Sequence, residues 1–252
     1  MNRNNESSRL ETLQQAVREF TRLKKPSISI LRKAPRGIID CEGSLGIFPA
    51  SFNPPTMAHL ALIRAARKQA HLDEILLLLD LQAMDKRLLG ATWEERITLL
   101  EILFRRDPKI SIGLANRGLF LDKMEPLRSL YSASTEFTFI IGFDTILRVM
   151  DKKYYKHRKK SLDGLFSQSR FLVANRGAQE EEDFERLLGA RENERYRKKV
   201  SFFTLPERYT FLSSTRVRKE AREGRSIAGL VPISVLRFIE ERALYTDECR
   251  RE

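Results

Sequence analysis

The chain has 252 residues, 42% of them apolar and 32% charged, a balance that is typical of a globular protein and excludes a largely disordered one. Lys and Arg number 46 against 34 for Asp and Glu, so the formal charge of +12 favours anionic partners: nucleic acid, a membrane surface or phosphorylated small molecules. Residues 1–10 are polar and no apolar run has the length of a membrane span. We therefore expect a cytoplasmic protein without a signal peptide or membrane anchor, with two reduced cysteines.

The N-terminal region is predicted to be an extension of the main domain. Residues 8–24 carry apolar side chains at helical spacing, which predicts an amphipathic helix. Residues 24–36 contain two prolines and several basic residues, which indicates a linker with a short extended piece at 27–31. We therefore divide the chain into an extension, 1–36, and a main domain, 37–252, whose last part, 209–245, holds a phosphate-binding motif and helices.

Strands and helices alternate along the main domain. The predicted elements are strand 44–48, helix 58–70, strand 74–81, helix 92–104, strand 110–114, helix 121–131, strand 137–141, helix 144–150, strands 171–174 and 200–204, a helix from 214 or 215 to about 224, and helix 232–242. Thr92 and Glu95 form a capping-box signature. The alternation predicts an α/β fold with a parallel sheet and helices on both faces, in which ligands bind beyond the carboxyl ends of the strands.

Two basic runs stand out, at 156–160 and 195–199. We interpret them as solvated surface rather than as a dedicated site for a polyanion, because runs of like charge usually face water.

The first motif, Phe48-Pro-Ala-Ser-Phe-Asn-Pro-Pro-Thr-Met-Ala-His59, leads from a predicted strand into a helix. Its prolines restrict the loop, and small Ala50 and Ser51 allow a ligand to approach the backbone. Thr56 and His59 are three residues apart at the helix start, where partial positive charge suits a phosphate and His59 can donate to a phosphate oxygen. A helix cap formed by Thr56, with His59 as a satisfied half-buried side chain, explains the spacing equally well.

The second motif, Leu212-Ser-Ser-Thr-Arg-Val-Arg218, places hydroxyl groups at another helix start. Hydroxyls and unpaired backbone N–H groups there can hold phosphate oxygens, and the fork of Arg218 can hold two oxygens at once. The alternative is N-capping by Ser214 or Thr215 with a solvated Arg218, and the two roles are compatible.

These two strings resemble the T/HxGH and ISSTxxR signatures of the nucleotidylyltransferase superfamily. Ser51–Pro55 resembles the GSFNP segment of nicotinamide/nicotinate mononucleotide adenylyltransferases, closest to a eukaryotic or fungal-type branch, and residues 222–245 resemble the C-terminal tail of that family. The likeness covers about residues 44–245. Two departures are visible: Pro49-Ala50 stands where the family has a glycine pair, and in the histidine signature Thr56 replaces the first histidine and Ala58 the glycine.

The resemblance implies a Rossmann-like nucleotidylyltransferase fold and a set of site residues. Gly142 and Asp144 resemble a GxD element that contacts nucleotide, although a glycine turn with Asp144 as N-cap is as good an interpretation. Trp93 could stack on a pyridine ring, but packing at the core or its rim is favoured. The implied roles are catalytic for Thr56, His59 and Arg218; ATP-binding for Pro49, Ala50, Ser51, Phe52, His59, Gly142, Asp144, Arg176, Ser213, Ser214, Thr215 and Arg218; and acceptor-binding for Lys86, Trp93 and Arg96. Taken singly, Lys86 and Arg96 are more often surface charges.

The implied activity is transfer of AMP from ATP to nicotinamide or nicotinate mononucleotide, with Mg²⁺ bound by the nucleotide rather than by a carboxylate cluster. The expected partners are therefore ATP and a pyridine mononucleotide, without a membrane or nucleic acid, and a homo-oligomer is compatible with the sequence. Residues 113–117 lack the aromatic that the family places after this strand, which keeps open a related enzyme with another acceptor, a cytidylyltransferase or a pantetheine-phosphate adenylyltransferase. The charge of +12 and the missing glycines keep open a second alternative, a nucleotide- or nucleic-acid-binding protein that has lost catalysis.

Overall fold

The protein folds around a seven-stranded sheet. The computed structural model describes residues 3–39, 42–81, 90–175, 177 and 181–246. The strands are β1 (Ile28–Arg32), β2 (Ser44–Ala50), β3 (Glu74–Asp80), β4 (Ile110–Ala115), β5 (Glu136–Gly142), β6 (Ser169–Ala174) and β7 (Val200–Phe203). Their spatial order is β1-β4-β3-β2-β5-β6-β7, with β2 to β7 parallel and β1 antiparallel to β4.

Helices connect the strands in the alternation that the sequence predicts. They are α1 (Arg3–Thr21), α2 (Met57–Ala70), α3 (Trp93–Phe104), α4 (Met124–Leu130), α5 (Phe143–Met150), α6 (Arg158–Gln168), α7 (Glu181–Gly189), α8 (Glu207–Thr210), α9 (Ser214–Arg222) and α10 (Ile233–Glu241), with 3-10 turns at Leu121–Lys123, Lys152–Tyr154 and Glu194–Lys199. The predicted α/β fold with a mostly parallel sheet is confirmed. Helices α6, α7 and α8 lie in stretches for which no element was predicted.

The sheet is buried on both faces. In β3, Leu76 and Leu78 pack into one apolar cluster while Ile75, Leu77 and Leu79 pack into the cluster on the opposite face, and all five are fully buried. Because successive side chains of a strand point to opposite faces, a strand covered on both sides must be apolar at every position. The continuous apolar run of β3 therefore has the origin that the sequence suggests.

A third apolar cluster joins the C-terminal helices to the first helices of the domain. In this cluster the C-terminal helices α9 and α10 pack against α2, α3 and the residue two positions before α3. The contacting residues are Val217 of α9, Val235, Phe238 and Ile239 of α10, Ala58 of α2, Leu99 of α3 and Ala91. The chain leaves the sheet at β7, on one edge, and returns to helices that follow the central strands. This return brings residues 212–218 to the end of β2.

The N-terminal region contributes a strand to the sheet. β1 lies one residue later than the predicted extended piece at 27–31 and pairs with β4, so the sheet begins before residue 36. After β1 the chain passes over Glu74, the first residue of β3, whose fully buried carboxylate accepts hydrogen bonds from Lys33 Nζ (2.7 Å), Ile38 N (2.8 Å), Ser111 Oγ (2.6 Å) and the Tyr131 hydroxyl (2.6 Å). These bonds tie residues 33–38 to the amino ends of the parallel strands.

Within the described ranges, no helix is both long and apolar enough to span a bilayer.

Candidate active site

The strand order reverses between β2 and β5. From β2 the chain proceeds through β3 to β4 on one side, and from β5 through β6 to β7 on the other. In parallel sheets a crevice opens at such a reversal, beyond the carboxyl ends of the two strands. The loop of the first motif, Ser51–Thr56, follows β2, and Gly142 ends β5 directly beside it. The fold therefore places two of the predicted nucleotide-binding elements at one crevice.

Thr56 and His59 form a capping box at the start of α2. Thr56 is the N-cap, its hydroxyl accepts a bond from His59 N (3.4 Å), and His59 Nδ1 accepts from Thr56 N (3.0 Å) and lies 2.8 Å from the Thr56 hydroxyl. The cap interpretation is correct, and it has a chemical consequence. Because Nδ1 serves as an acceptor, the neutral imidazole carries its proton on Nε2, the form that can donate to a phosphate oxygen.

The imidazole of His59 packs against two phenylalanine rings. Its ring centroid lies 5.2 Å from that of Phe52 and 5.7 Å from that of Phe48. Phe52 is fully buried, so the side chain of this predicted ATP-binding residue supports His59 from the core. Its backbone has φ +44°, a left-handed conformation that is uncommon for a residue with a Cβ.

The substitution of the glycine pair by Pro49-Ala50 is accommodated by the fold. Both residues belong to β2 and pair with Leu78 and Leu79 of β3, so they have extended backbone that any residue can adopt. The left-handed residue of this loop is Phe52, two positions further on. Ala50 and Ser51 are half-buried at the crevice, as a backbone-contacting segment requires.

The second motif begins α9, but the capping residue differs from the prediction. Ser213 is the N-cap, and its hydroxyl accepts from Arg216 N (3.1 Å), whereas Ser214 or Thr215 was expected. The reason is that the Ser214 hydroxyl donates to the carbonyl oxygen of Pro54 (2.8 Å) in the first motif. Thr215 is exposed in the first turn of the helix.

Arg218 also contacts the first motif. Its Nη1 donates to the carbonyl oxygen of Asn53 (2.7 Å), and Nη2 donates to the Thr215 hydroxyl (3.3 Å). The side chain is thus half-buried and anchored, not merely solvated. Burial lowers the pKa of Arg218, although the guanidinium of an arginine stays charged at neutral pH. Together with Ser214, it fixes the second motif against residues 53–54.

Further contacts close the same junction. Met57 N, at the start of α2, donates to Leu230 O (2.9 Å) between α9 and α10. The side-chain oxygen of buried Asn53 accepts from Ala91 N (3.2 Å) and from the Tyr245 hydroxyl (2.9 Å). Asn53 and Tyr245 were not among the predicted site residues. The signal that could have identified Asn53 is an amide side chain between Phe52 and the proline pair Pro54-Pro55.

Two of the predicted acceptor-binding residues lie on α3. Arg96 is 1% exposed; its Nε donates to Ala91 O (2.9 Å), and its Nη1 has no hydrogen-bond partner among the described residues. Its guanidinium stacks on the ring of half-buried Trp93, 4.4 Å from the centroid, so Trp93 packs at the rim of the core. Burial lowers the pKa of Arg96 to about 10, the hydroxyl of Tyr245 opposes this, and the charge of Arg218 adds to it. Arg218 is therefore close enough for its charge to act on Arg96, and the carboxylates of Glu95 and Glu94 oppose the lowering of the Arg96 pKa.

Of the remaining predicted residues, the structure describes Gly142 and Asp144. Gly142 is half-buried and is itself the N-cap of α5, so the alternative in which Asp144 caps this helix is wrong. Asp144 lies exposed in the first turn of α5, beyond the end of β5. Arg176 and Lys86 lie outside the described residues.

The described ranges contain no group of three or more His, Cys, Asp or Glu side chains that could hold a metal ion. The donors at the crevice are hydroxyl, guanidinium and imidazole groups, which suit an anion.

Several known proteins are similar to this chain. A protein of Schizosaccharomyces pombe, named provisionally as a nicotinamide mononucleotide adenylyltransferase, is 31% identical over 134 residues, which are 52% of this chain; the match spans about half of that relative's length. A probable nicotinate-nucleotide adenylyltransferase of Lachnoclostridium phytofermentans is 28% identical over 80% of this chain and 98% of its own. The solved nicotinic acid mononucleotide adenylyltransferase of Plasmodium falciparum, complexed with NaAD, has the same fold (TM-score 0.60, 20% identity, 81% of this chain, 97% of that one).

A sequence profile described as cytidylyltransferase-like matches residues 47–220, from β2 through most of α9. That span contains both motifs and more than half of the chain. The chain therefore belongs to the cytidylyltransferase-like family.

Proposed function

We propose that this protein is an adenylyltransferase that transfers AMP from ATP to nicotinamide or nicotinate mononucleotide and releases pyrophosphate. The observation that carries the proposal is the junction of the two motifs: Ser214 and Arg218 donate to the carbonyl oxygens of Pro54 and Asn53, in the loop that leads to Thr56 and His59. One polyphosphate can thus contact both helix starts. The names of relatives that align along most of this chain support a pyridine mononucleotide as the acceptor.

The polyphosphate would lie between the starts of α2 and α9. The backbone N–H groups at the start of α9, the hydroxyl of Thr215 and the guanidinium of Arg218 are donors suited to the β- and γ-phosphates. The ribose and base would then extend towards the end of β5, near Gly142 and Asp144. Arg96, buried and close to Arg218, would meet a phosphate of the acceptor or of ATP from the other side.

The reaction needs positioning and charge stabilisation more than proton transfer. An oxygen of the acceptor's phosphate bonds to the α-phosphorus, the bond from that phosphorus to the bridging oxygen breaks, and pyrophosphate leaves with the electron pair. Since the attacking phosphate is already an anion, a general base is not needed. His59 Nε2–H would donate to an oxygen on which charge develops, and Thr56 would hold the imidazole in that orientation.

Mg²⁺ is proposed to enter with ATP as part of the substrate. The anion-binding donors of the crevice fit a metal whose ligands are phosphate oxygens and water. We propose the cytoplasm, where ATP and mononucleotides meet, as the location of the enzyme. The sequence is also compatible with a homo-oligomer, and the proposal includes this form of the enzyme.

The proposal is tested by measuring pyrophosphate release with ATP or CTP, each paired with nicotinamide mononucleotide, nicotinate mononucleotide and phosphopantetheine. We expect turnover with ATP and a pyridine mononucleotide. Turnover confined to CTP or to phosphopantetheine would assign a different reaction to the same fold. RNA binding that weakens with salt, without turnover, would favour a protein that has lost catalysis.

His59→Ala should lower pyrophosphate release by about 10² or more, because a donor to developing charge is removed. His157→Ala is the matched control, since His157 is exposed at the start of α6 and outside both motifs. The assigned role of His59 is wrong if the His59 variant retains the wild-type rate.

A further inference from the structure

Tyr245 lies where the C-terminal tail meets both motifs. It is 6% exposed, and its hydroxyl donates to Asn53 Oδ1 (2.9 Å). Asn53 is 4% exposed, and its carbonyl oxygen accepts from Arg218 Nη1 (2.7 Å). Two hydrogen bonds therefore link the hydroxyl of Tyr245 to the guanidinium of Arg218 through the side-chain and backbone oxygens of Asn53.

The same residues also pack around Gly90. This glycine has φ +105°, and a Cβ built on it would lie 2.8 Å from the ring edge of Tyr245, 3.0 Å from Asn53 Oδ1 and 3.2 Å from Arg218 Cδ. The three side chains thus meet at one point beside the start of α3. There Ala91 N donates a second hydrogen bond to Asn53 Oδ1. A side chain at position 90 would separate them.

The backbone at this junction is unusual. Tyr245 has φ +67° and Phe52, the neighbour of Asn53, has φ +44°, both left-handed conformations that are disfavoured for residues with a Cβ. Such conformations persist where surrounding contacts hold them, and they concentrate at functional sites. Here one left-handed residue, Tyr245, donates the hydrogen bond to Asn53, and the other, Phe52, directly precedes Asn53.

We propose that Tyr245 is a positioning residue for the polyphosphate site: its hydroxyl holds Asn53, and Asn53 holds the guanidinium of Arg218 in place for the anion. The proposal rests on the proposed function, because it assumes that Arg218 binds ATP. It assigns to the tail a role in nucleotide binding in addition to its packing in the third apolar cluster.

The test is calorimetric titration with Mg²⁺ and α,β-methylene-ATP, an analogue that cannot transfer AMP, on wild type and Tyr245→Phe. Loss of the hydrogen bond from the Tyr245 hydroxyl to Asn53 should weaken binding of the analogue by about tenfold. The KM for ATP should rise by a similar factor while kcat changes by less than about threefold. Tyr196→Phe is the matched control, because Tyr196 is also buried and its hydroxyl donates to Asp163 (2.8 Å), away from both motifs.

A double-mutant cycle separates positioning from a general loss of stability. If Tyr245 acts through Arg218, adding Tyr245→Phe to Arg218→Ala should change the affinity by less than about twofold. The binding stoichiometry reports the folded fraction of each variant. Partial unfolding lowers the number of binding sites per chain, whereas the affinity measured for the folded molecules is unchanged. Full tenfold weakening in the Arg218→Ala background would overturn the proposal.

The two levels of the hypothesis fail in different ways. A wild-type protein that does not bind the analogue would remove the proposed function and this role with it. A wild-type protein that binds the analogue, with Tyr245→Phe binding equally well, would remove only the role of Tyr245.

Discussion

The hydroxyl of Thr56 is fully buried between the helix it caps and the imidazole that it orients. This one side chain shows that helix capping and the orientation of the imidazole are compatible roles, because the hydrogen bonds of the cap select the tautomer of His59. The spacing of three residues predicts the contact between the two side chains. It does not predict which nitrogen faces the hydroxyl, because that depends on how Phe48 and Phe52 hold the ring.

Thr56→Val should therefore impair both stability and turnover. Replacing a capping hydroxyl by a methyl group costs about 1 kcal/mol of unfolding free energy, and the freed imidazole should lower pyrophosphate release by about tenfold. Thr56→Ser retains the hydroxyl and serves as the control, with both quantities close to wild type. Denaturant unfolding and the pyrophosphate assay measure the two effects. A Val variant that loses stability but keeps full turnover would show that the cap does not orient His59.

Asp80 gives a prediction for the dependence of stability on pH. It ends β3 and pairs with Lys123 Nζ (3.0 Å), and burial raises the pKa of its carboxyl to about 6, with Lys123 opposing that rise. An acid whose pKa is raised on folding stabilises the folded protein most when protonated. Its contribution is therefore complete below about pH 4, is lost as the pH rises to about 6, and stays lost above that.

The free energy of unfolding of wild type, relative to Asp80→Asn, should thus fall by on the order of 2–3 kcal/mol between pH 4 and pH 7. Urea denaturation of both proteins at several pH values measures this difference, and the other titrating groups cancel between the two. A difference that stays constant or grows with pH would contradict the raised pKa.

At the scale of elements, periodicity predicts most strands and helices but not the helices α6, α7 and α8. α6 has buried Leu162, Leu165 and Phe166 at helical spacing, yet its first residues belong to a basic run that reads as solvated surface, and Lys159 and Lys160 are indeed exposed. α7 has only two buried apolar residues, and α8 is a single turn. A short helix shows too few turns for its period to be distinguished from chance.

Glu74 shows how a single buried charge can join several elements. The four donors around its carboxylate come from the segment after β1, from β4 and from the residue after α4, so the residue 33–38 segment depends on it. A buried charge in an apolar run is expected to be fully paired, but the sequence does not show which distant donors pair with it.

Glu74→Gln should lower the free energy of unfolding by about 3 kcal/mol. The amide NH₂ would face groups that themselves donate hydrogen bonds, and the charge that pairs with Lys33 would be lost. The affinity for the methylene analogue of ATP should not change, since Glu74 lies at the opposite end of β3 from the crevice. Glu136→Gln, at the exposed first residue of β5, is the control for both measurements. A loss of stability no larger than that of the control would show that the buried carboxylate contributes little.

At the scale of the whole molecule, the sequence predicts which strand ends carry polar chemistry but not how the last third of the chain reaches them. The residues after β2 and β5 stand out because they follow apolar runs, and the fold brings them to one crevice. The return of residues 212–245 from the far edge of the sheet depends on side-chain packing of Val217, Val235 and Phe238 against α2 and α3. Local periodicity contains no such long-range information, so only the resemblance to a known family placed the two motifs together.

That return also sets the order in which the site can form during synthesis. The His59 loop leaves the ribosome early, with its capping box built from residues only three apart, and the central strands β2, β3 and β5 can pair before the chain is complete. The arginine and tyrosine that complete the junction emerge about 160 and 190 residues later. A nascent chain stalled in β7 should therefore hold a folded sheet and an imidazole in place, yet have little affinity for a nucleotide.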